Sequence, residues 1–274
     1  MKEEKIKKAV REGYAKIAKK EASCCSPLKS CCGSTSESIG KSIGYSDEEL
    51  KGVPEGANLG LGCGNPVAMA SLKQGETVVD LGSGPGLDCF LAANKVGKTG
   101  KVIGVDMTPE MIEKARENAR KGKYNNVEFR LGEIENLPVA DNFANAIISN
   151  CVINLVPDKK RVFKETFRIL KPGGRLMISD LVLLKELPDF IKNSVEAYIG
   201  CLSGAIMKDD YLNAIKEAGF KEVKIVDETH FPIELMASDS TAKVLVEQMK
   251  IPMEKLRDLA KSVVSIKVQG IKPE

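Results

Sequence analysis

The chain has 274 residues, 43% of them hydrophobic and 29% charged, and a formal net charge of +3, which fits one large globular domain or a domain with an appendage. No apolar run approaches the roughly 20 residues that span a bilayer, and the opening MKEEKIKKAV contains no apolar signal-peptide core. We therefore expect a cytoplasmic protein without a membrane partner. The basic excess lies in the first 21 residues, which is more typical of a solvated helix face than of a nucleic-acid site.

The first part of the chain is irregular apart from one helix. Apolar residues recur at three- and four-residue spacing over residues 3–20, and this spacing predicts an amphipathic helix. The following SCCSPLKSCCGSTSES is rich in Ser, Cys and Gly and predicts a loop. The next motif, GLGCGNPVAMASLKQG, predicts a turn and a short helix. We expect residues 1–70 to form a helix, a Cys-rich loop and a cap.

From residue 76 onward, predicted strands alternate with predicted helices. The strands are ETVVDLGSG, KVIGVD, NVEFRLG, FANAIISN, GRLMISD, KEVKIVDETH and SVVSIKVQG. The helices are 87–95, PEMIEKARENARK, DKKRVFKETFRIL, which Pro172, Gly173 and Gly174 should end, 188–199 and 208–218. This order predicts an α/β fold whose parallel sheet carries helices on both faces. We expect residues 71–230 to form the core and residues 231–274 a helical insertion and the last strand.

A glycine-rich turn follows the first predicted strand. It reads Asp80-Leu-Gly82-Ser83-Gly84-Pro-Gly86, and the second strand, VIGVD, ends in Asp106. Glycines permit a close approach of backbone to ligand, and an acid at this position can bind ribose hydroxyls. The spacing is G-x-G-x-G, whereas the dinucleotide fingerprint is G-x-G-x-x-G.

This turn resembles the first motif of the class I S-adenosylmethionine-dependent methyltransferases, D/E-x-G-x-G-x-G. The resemblance continues through VDMTPEMIEKA, LGEIENLP and LKPGGRLMISD. It implies a Rossmann-like, seven-stranded, mostly parallel sheet of order 3-2-1-4-5-7-6, with strand 7 antiparallel. It also implies S-adenosylmethionine as the cofactor. The cofactor-binding residues that we expect are Asp80, Gly82, Ser83, Gly84, Gly86, Asp106, Met107, Glu133, Ile134 and Asn150.

Three of the eight cysteines occupy distinctive positions. Cys151, in SNCVINL, follows the fourth predicted strand and should emerge beside the cofactor. Cys63 lies in the glycine-rich GLGCGNP, and Cys201 lies in IGCLSGA after the fifth strand and its helix. Position alone leaves two interpretations of Cys151, because a reduced cysteine is also a common core residue.

The motifs GLGCGNP, SNCVINL and GCLSGA resemble the three cysteine motifs of the arsenite methyltransferases. The resemblance implies that thiolates of Cys63, Cys151 and Cys201 bind trivalent arsenic and that a methyl group is transferred to it. The substrate would be arsenite or its thiol conjugates. The implied partner is a thiol reductant, such as thioredoxin or a small thiol. We expect a monomer that binds no nucleic acid.

We expect the remaining cysteines and the lone histidine to lie outside the methyl-transfer site. Cys24-Cys25 and Cys31-Cys32 form two adjacent pairs that lack zinc-motif spacing, and we expect them to capture arsenite or exchange disulfides. Cys89 follows an apolar helix face and should be a core residue. His230 should be a surface or sheet-edge residue, and an arsenic lone pair needs no general base.

Three other functions are each compatible with part of the sequence. A methyltransferase of the same fold that acts on a small organic substrate, such as a quinone or sterol precursor, would share the glycine motifs but would not need the three cysteines. A thiol module that only sequesters a metal or metalloid would not need the cofactor turn. Nucleic-acid methylation has support only from the basic first helix.

Overall fold

A computed structural model describes residues 3–20, 36–188, 191, 202–230 and 261–274. The predicted Cys-rich loop, most of the predicted helix 188–199 and the predicted insertion at 231–260 lie outside these residues. The helices are α1 (Glu3–Lys20), α2 (Ser36–Ser42), α3 (Asp47–Lys51), α4 (Pro66–Met69), α5 (Leu87–Val96), α6 (Pro109–Lys121), α7 (Lys159–Ile169) and α8 (Lys208–Glu217), with a 3-10 turn at Ile153–Leu155. The strands are β1 (Thr77–Leu81), β2 (Lys101–Asp106), β3 (Val127–Leu131), β4 (Ala144–Asn150), β5 (Leu170–Leu183), β6 (Lys221–His230) and β7 (Val263–Ile271).

The strands form one seven-stranded sheet in the order β3-β2-β1-β4-β5-β7-β6. Strands β1 to β5 pair in parallel, and β7 runs antiparallel to both β5 and β6. The predicted strand order and the predicted fold class are therefore confirmed. Successive strands are added on one side of β1 up to β3 and on its other side from β4 onward. The carboxyl ends of the two central strands β1 and β4 therefore form the switch point where such sheets bind ligands.

Both faces of the sheet are covered by helices. Adjacent residues of β1, Val78 and Val79, are fully buried and point into different cores. Val79 packs in the core that includes Phe163 of α7 and Tyr211 of α8, and Val78 packs in the core that includes Phe90 of α5. Central parallel strands are covered on both sides, which explains why the consecutive residues Val78 and Val79 are both apolar.

The fifth strand is longer than the sequence predicts. The motif GRLMISD was expected to begin the strand after the glycines, but β5 begins at Leu170 and continues to Leu183. Ala144 pairs with Leu170 and Ala146 pairs with Arg175, so the intervening Lys-Pro-Gly-Gly stretch bulges out of the ladder. At its carboxyl end, β5 continues to Leu183 because each residue after Asp180 pairs with a residue of the antiparallel strand β7.

Helix α1 packs beside the carboxyl edge of the sheet. Its Val10 is buried, and Val10, Tyr14 and Ile17 line the cavity described below. Lys7 forms ion pairs with Glu133 at 2.7 Å and Glu135 at 2.9 Å. The first predicted helix is thus confirmed, and its position encloses one side of the cavity. Within the described ranges, no helix combines the length and the apolar character that crossing a membrane requires.

Candidate active site

The glycine turn opens onto a cavity of about 400 Å³ at the carboxyl ends of β1, β2 and β4. A Cβ atom placed on Gly84 would meet nothing within 4 Å, whereas one on Gly82 would collide with the Val152 side chain. Both glycines have positive φ angles, 51° at Gly84 and 67° at Gly82. Gly84 therefore leaves space for a ligand beside the backbone, and Gly82 allows the turn after β4 to pack against the loop. Gly82, Ser83 and Gly84 line the cavity; a Cβ on Gly86 would meet the rings of Phe90 and Phe129, so Gly86 is required for packing.

Asp106 lies at the end of β2 and lines the cavity, as expected from the sequence. Its carboxylate accepts hydrogen bonds from the backbone N–H groups of Gly84 at 2.9 Å and Thr108 at 2.8 Å. Burial of the carboxylate raises its pKa, and these bonds oppose the shift. Asp106 thereby fixes the glycine turn in place and can still accept further hydrogen bonds, because a carboxylate has about four lone-pair sites.

Asp80, the last acid of β1, is buried and also lines the cavity. Cys89 donates from Sγ to Asp80 Oδ2 at 3.2 Å. Burial, and next the charge of Asp88, raises the pKa of Asp80 well above its usual range. Cys89 is fully buried, as predicted for a core residue. A buried acid with a raised pKa beside a cavity is a common feature of functional sites.

Three more of the expected cofactor-binding residues, Met107, Glu133 and Ile134, occupy different environments. Met107 and Ile134 line the cavity. Glu133 instead pairs with Lys7 and with Arg11, which lies 3.3 Å away, both on α1. Its neighbour Glu135, which the sequence analysis did not single out, is buried and lines the cavity. The assignment of Glu133 to the cofactor remains a prediction.

Asn150, at the end of β4, joins the cavity to the loop that carries Cys63. Its Oδ1 accepts a hydrogen bond from the backbone N–H of Cys63 at 3.0 Å, and its Nδ2 donates to the Gly64 carbonyl at 2.7 Å. Nδ2 also lies 2.9 Å from the Tyr45 hydroxyl and 3.2 Å from Asp88 Oδ2. The Asn150 amide therefore binds the Cys63 loop, and Asn150 also lines the cavity. Its contact with the cofactor remains a prediction.

Tyr45 and Asp88 complete this buried network and were not predicted. The Tyr45 hydroxyl donates to Asp88 Oδ1 at 2.7 Å. Burial raises the pKa of Asp88 to about 6, although its hydrogen bonds with Tyr45 and Asn150 oppose the shift. Asp88 lies in the first turn of α5, directly after the glycine turn. Only the folded chain brings Tyr45, 43 residues earlier, against it.

Cys151 has a left-handed backbone conformation with a φ angle of 58°. For a residue other than glycine, such a conformation costs about 1–3 kcal/mol and is often found at functional sites. The Cys151 N–H donates to the Ser179 carbonyl at 2.8 Å, which anchors the strained residue to β5. Cys151 is half-buried and lines the same cavity as the glycine turn. The strained geometry and the cavity position favour a functional thiol over a core residue.

Cys63 lies across from Cys151 on the glycine-rich loop. It is buried, its carbonyl accepts a hydrogen bond from Ser265 Oγ at 2.7 Å, and its Sγ is 3.9 Å from Ser179 Oγ. The Cys63 Sγ, the Cys151 Sγ and a carboxylate oxygen of Asp180 all lie within 4.8 Å of one another. Two of the three predicted thiols are thus brought together by the fold. Cys201 lies outside the described residues, as do Cys24, Cys25, Cys31 and Cys32.

Asp180 is the third member of this cluster, and the sequence analysis did not identify it. It is fully buried on β5 and accepts hydrogen bonds from the Tyr211 hydroxyl at 3.0 Å, Asn154 Nδ2 at 2.8 Å and the Leu181 N–H at 3.0 Å. Burial raises its pKa to about 7. Its position in ISD, on the strand next to β4, was a signal that could have identified it. His230, by contrast, is exposed at the end of the edge strand β6, as expected.

Comparisons with known proteins agree with this architecture. Residues 72–219 match the family model described as "Methyltransferase domain". The chain is 51% identical to the arsenite methyltransferase of Halobacterium salinarum over 81% of its own length and 59% of that protein. It is 33% identical to the human arsenite methyltransferase over 82% of its own length and 61% of that protein. The chain thus spans about three fifths of the length of these curated relatives.

A solved structure extends the similarity to the fold. The crystal structure of CrArsM, an arsenic(III) S-adenosylmethionine methyltransferase from Chlamydomonas reinhardtii, matches with a TM-score of 0.63 and 29% sequence identity. The match covers 86% of this chain and 73% of that one. Sheet order, glycine turn and matched region agree, and the chain belongs to the methyltransferase domain family.

Proposed function

We propose that this chain transfers a methyl group from S-adenosylmethionine to trivalent arsenic bound by the thiolates of Cys63, Cys151 and Cys201. One observation carries the proposal: Cys151 lines the cavity that the glycine turn opens onto, and the thiol of Cys63 lies within 4.8 Å of the Cys151 thiol. Relatives named arsenite methyltransferase, 51% and 33% identical, support the same substrate. A methyltransferase for a small organic molecule would have no need of this pair of thiols.

The cavity fits S-adenosylmethionine. Its volume of about 400 Å³ lies within the usual range for small-molecule sites. Gly84 leaves open space beside the loop backbone. Asp106 offers a carboxylate for ribose hydroxyls, and Met107 and Ile134 offer apolar surface. When bound, S-adenosylmethionine supplies an electrophilic methyl group on a sulfonium.

The thiols suit arsenic because sulfur ligands prefer soft centres. Each thiol displaces one hydroxide of arsenite as water, and its sulfur bonds to arsenic. Arsenic held by three sulfurs keeps its lone pair, so the attack on a methyl group needs no general base. The residues then contribute by positioning: Cys151 is fixed by its bond to Ser179, and the Cys63 loop is held by Asn150.

A thiol reductant follows from the electron balance. Methylation of the lone pair oxidises arsenic from the trivalent to the pentavalent state. Two thiolates can return these two electrons by forming a disulfide, which a small thiol or thioredoxin then reduces. We propose the cytoplasm as the compartment because it keeps such cysteines reduced. A monomer suffices for this chemistry.

The test is an incubation with arsenite, S-adenosylmethionine and a thiol reductant, with methylated arsenic species and S-adenosylhomocysteine both measured. We expect the two products to appear together and to require all three reagents. Parallel incubations replace arsenite with a quinone or a sterol precursor. Turnover of an organic acceptor without turnover of arsenite would reject the proposal in favour of the same fold acting on a small organic substrate.

A further inference from the structure

Asp180 is a buried carboxylate for which arsenic chemistry has no use. A site made of three sulfurs leaves no role for an oxygen ligand, yet an Asp180 oxygen lies within 4.8 Å of both the Cys63 and the Cys151 sulfur atoms. The proximity of the Asp180 carboxylate to both sulfur atoms points to a ligand that uses sulfur and oxygen together.

Neighbouring residues hold the Asp180 carboxylate in a fixed orientation. Tyr211 and the Leu181 N–H each donate to it at 3.0 Å, and Asn154 donates at 2.8 Å. Tyr211 and Asn154 are themselves fully buried. Hydrogen bonds of this kind commonly orient carboxylate ligands in metal sites. Three such bonds still leave about one lone-pair site of the carboxylate for another partner.

We propose that Cys63, Cys151 and Asp180 form a binding site for a divalent cation of the zinc class. Zinc binds Cys sulfur at about 2.3 Å and carboxylate oxygen at about 2.0–2.2 Å in tetrahedral geometry. Two sulfurs on one such ion are about 3.8 Å apart. The ligand atoms lie at most 4.8 Å apart, so the two sulfurs need to approach each other by no more than about 1 Å to bind one ion. A water molecule or a further thiol takes the fourth position.

The donor set selects the class of cation. Two thiolates disfavour magnesium and calcium, which prefer oxygen, and favour zinc or cadmium. Two thiolates and one carboxylate carry three negative charges, against the two positive charges of the ion. Each thiol that binds releases its proton to solvent. If the proposed function is correct, the cation occupies the arsenite thiols and competes with arsenite; the binding itself does not depend on that function.

The first experiment is an anaerobic cobalt(II) titration of the full chain with Cys24, Cys25, Cys31 and Cys32 all changed to Ser. This background removes the other clustered thiols. We expect a thiolate-to-cobalt charge-transfer band together with the visible bands of tetrahedral cobalt, and we expect one equivalent of zinc to abolish both. Magnesium serves as the negative probe and should leave the cobalt bands unchanged. Absence of the charge-transfer band would overturn the site.

The second experiment separates the oxygen ligand from the sulfur ligands. Asp180→Asn should lower cobalt affinity by at least about tenfold and change arsenite affinity by less than about threefold, because arsenic uses the sulfurs alone. Asp141→Asn is the matched control, since Asp141 is an exposed acid that pairs with Arg168; it should leave both affinities unchanged. Unchanged cobalt affinity in Asp180→Asn would remove Asp180 from the site.

Folding of Asp180→Asn is checked by its affinity for S-adenosylmethionine. If that affinity is lost, the cation site is tested instead in the unsubstituted chain, by measuring whether zinc protects the cysteines from alkylation. Zinc should protect both Cys63 and Cys151 from alkylation, as measured by mass spectrometry, and failure to protect them would overturn the proposal. Cobalt binding without arsenite methylation would refute the proposed function alone. Methylation without cobalt binding would refute this inference alone.

Discussion

Substitution of Asn150 by Ala tests whether this residue holds the Cys63 loop or binds the cofactor. The sequence pattern predicts a cofactor contact, whereas the structure gives the Asn150 amide two hydrogen bonds to the loop backbone, at Cys63 N–H and the Gly64 carbonyl. Gly62 permits this approach, because a Cβ there would lie 2.8 Å from Asn150 Nδ2. Asn150→Ala should therefore release Cys63 from its position opposite Cys151.

The expected magnitude follows from the two loop bonds. Each contributes about 0.5–1.5 kcal/mol, so arsenite binding should weaken by about 1–3 kcal/mol, or about 5- to 150-fold. The bond from Tyr45 to Asp88 does not involve Asn150 and should persist. S-adenosylmethionine affinity should change by less than about threefold, because Asp106 and the glycine turn are not altered.

Both affinities are measured by calorimetry on the same preparation. Asn145→Ala is the matched control: Asn145 lies on the same strand, and its Oδ1 accepts hydrogen bonds from Thr77 and Lys171 at the opposite end of β4. That variant can lose stability but should keep both affinities. A large loss of S-adenosylmethionine affinity in Asn150→Ala, with arsenite affinity retained, would refute the loop-holding role and support the cofactor contact instead.

Three sets of substitutions and one pH profile test the other residues of the site. Asp106→Ala should weaken S-adenosylmethionine binding by about 1.5–3 kcal/mol, measured by calorimetry, and leave arsenite affinity unchanged. A cofactor affinity equal to that of the parent would contradict the placement of Asp106 in the cofactor site. Cys63→Ser should impair the first methylation and spare the second, since methylarsenite needs only two thiolates, and a product time course checks this. Changing all four N-terminal cysteines to Ser should slow turnover at low arsenite but not at saturation; a lower maximal rate would contradict the capture role. The pKa of Asp88, raised to about 6 in the folded state, means that its contribution to stability is full below about pH 4 and is lost as the pH rises through 6. The free energy of unfolding of the parent should thus fall relative to that of Asp88→Asn between pH 4 and 7, and parallel pH profiles would contradict this.

Much of the sheet was predictable because its signals are local. Apolar runs, helix spacing and the glycine turn locate β1 to β4, and the family resemblance supplies the strand order that the structure confirms. The short helix α3 was missed, although Ser46 and Glu49 form a capping box that marks its start. The extent of β5 depends on its pairing with β7, about 90 residues later in the chain, and no local pattern encodes such a pairing.

The residues of the candidate site likewise separate into those with a local sequence signal and those that depend on contacts between distant segments. Asp106 was identified because its position follows directly from a strand end. The loop-holding role of Asn150 depends on a contact between distant segments, because Asn150 and Cys63 are 87 residues apart. The left-handed conformation of Cys151 likewise depends on its bond to Ser179. These two features arise from tertiary packing. Asp180 has a local signal in the β5 motif ISD, but only the folded chain brings its carboxylate within 4.8 Å of both thiols.

The most direct test of the central claim is a single-turnover experiment on protein-bound arsenic. The chain is loaded with one equivalent of arsenite, then mixed with methyl-labelled S-adenosylmethionine, and the label on arsenic is followed in the parent and in Cys151→Ser. Binding of S-adenosylmethionine to both proteins is measured beforehand to show that the cofactor site is preserved. We expect labelled methylarsenic from the parent and none from Cys151→Ser; transfer of label by Cys151→Ser at the parental rate, or no transfer by the parent, would contradict methylation of thiolate-bound arsenic.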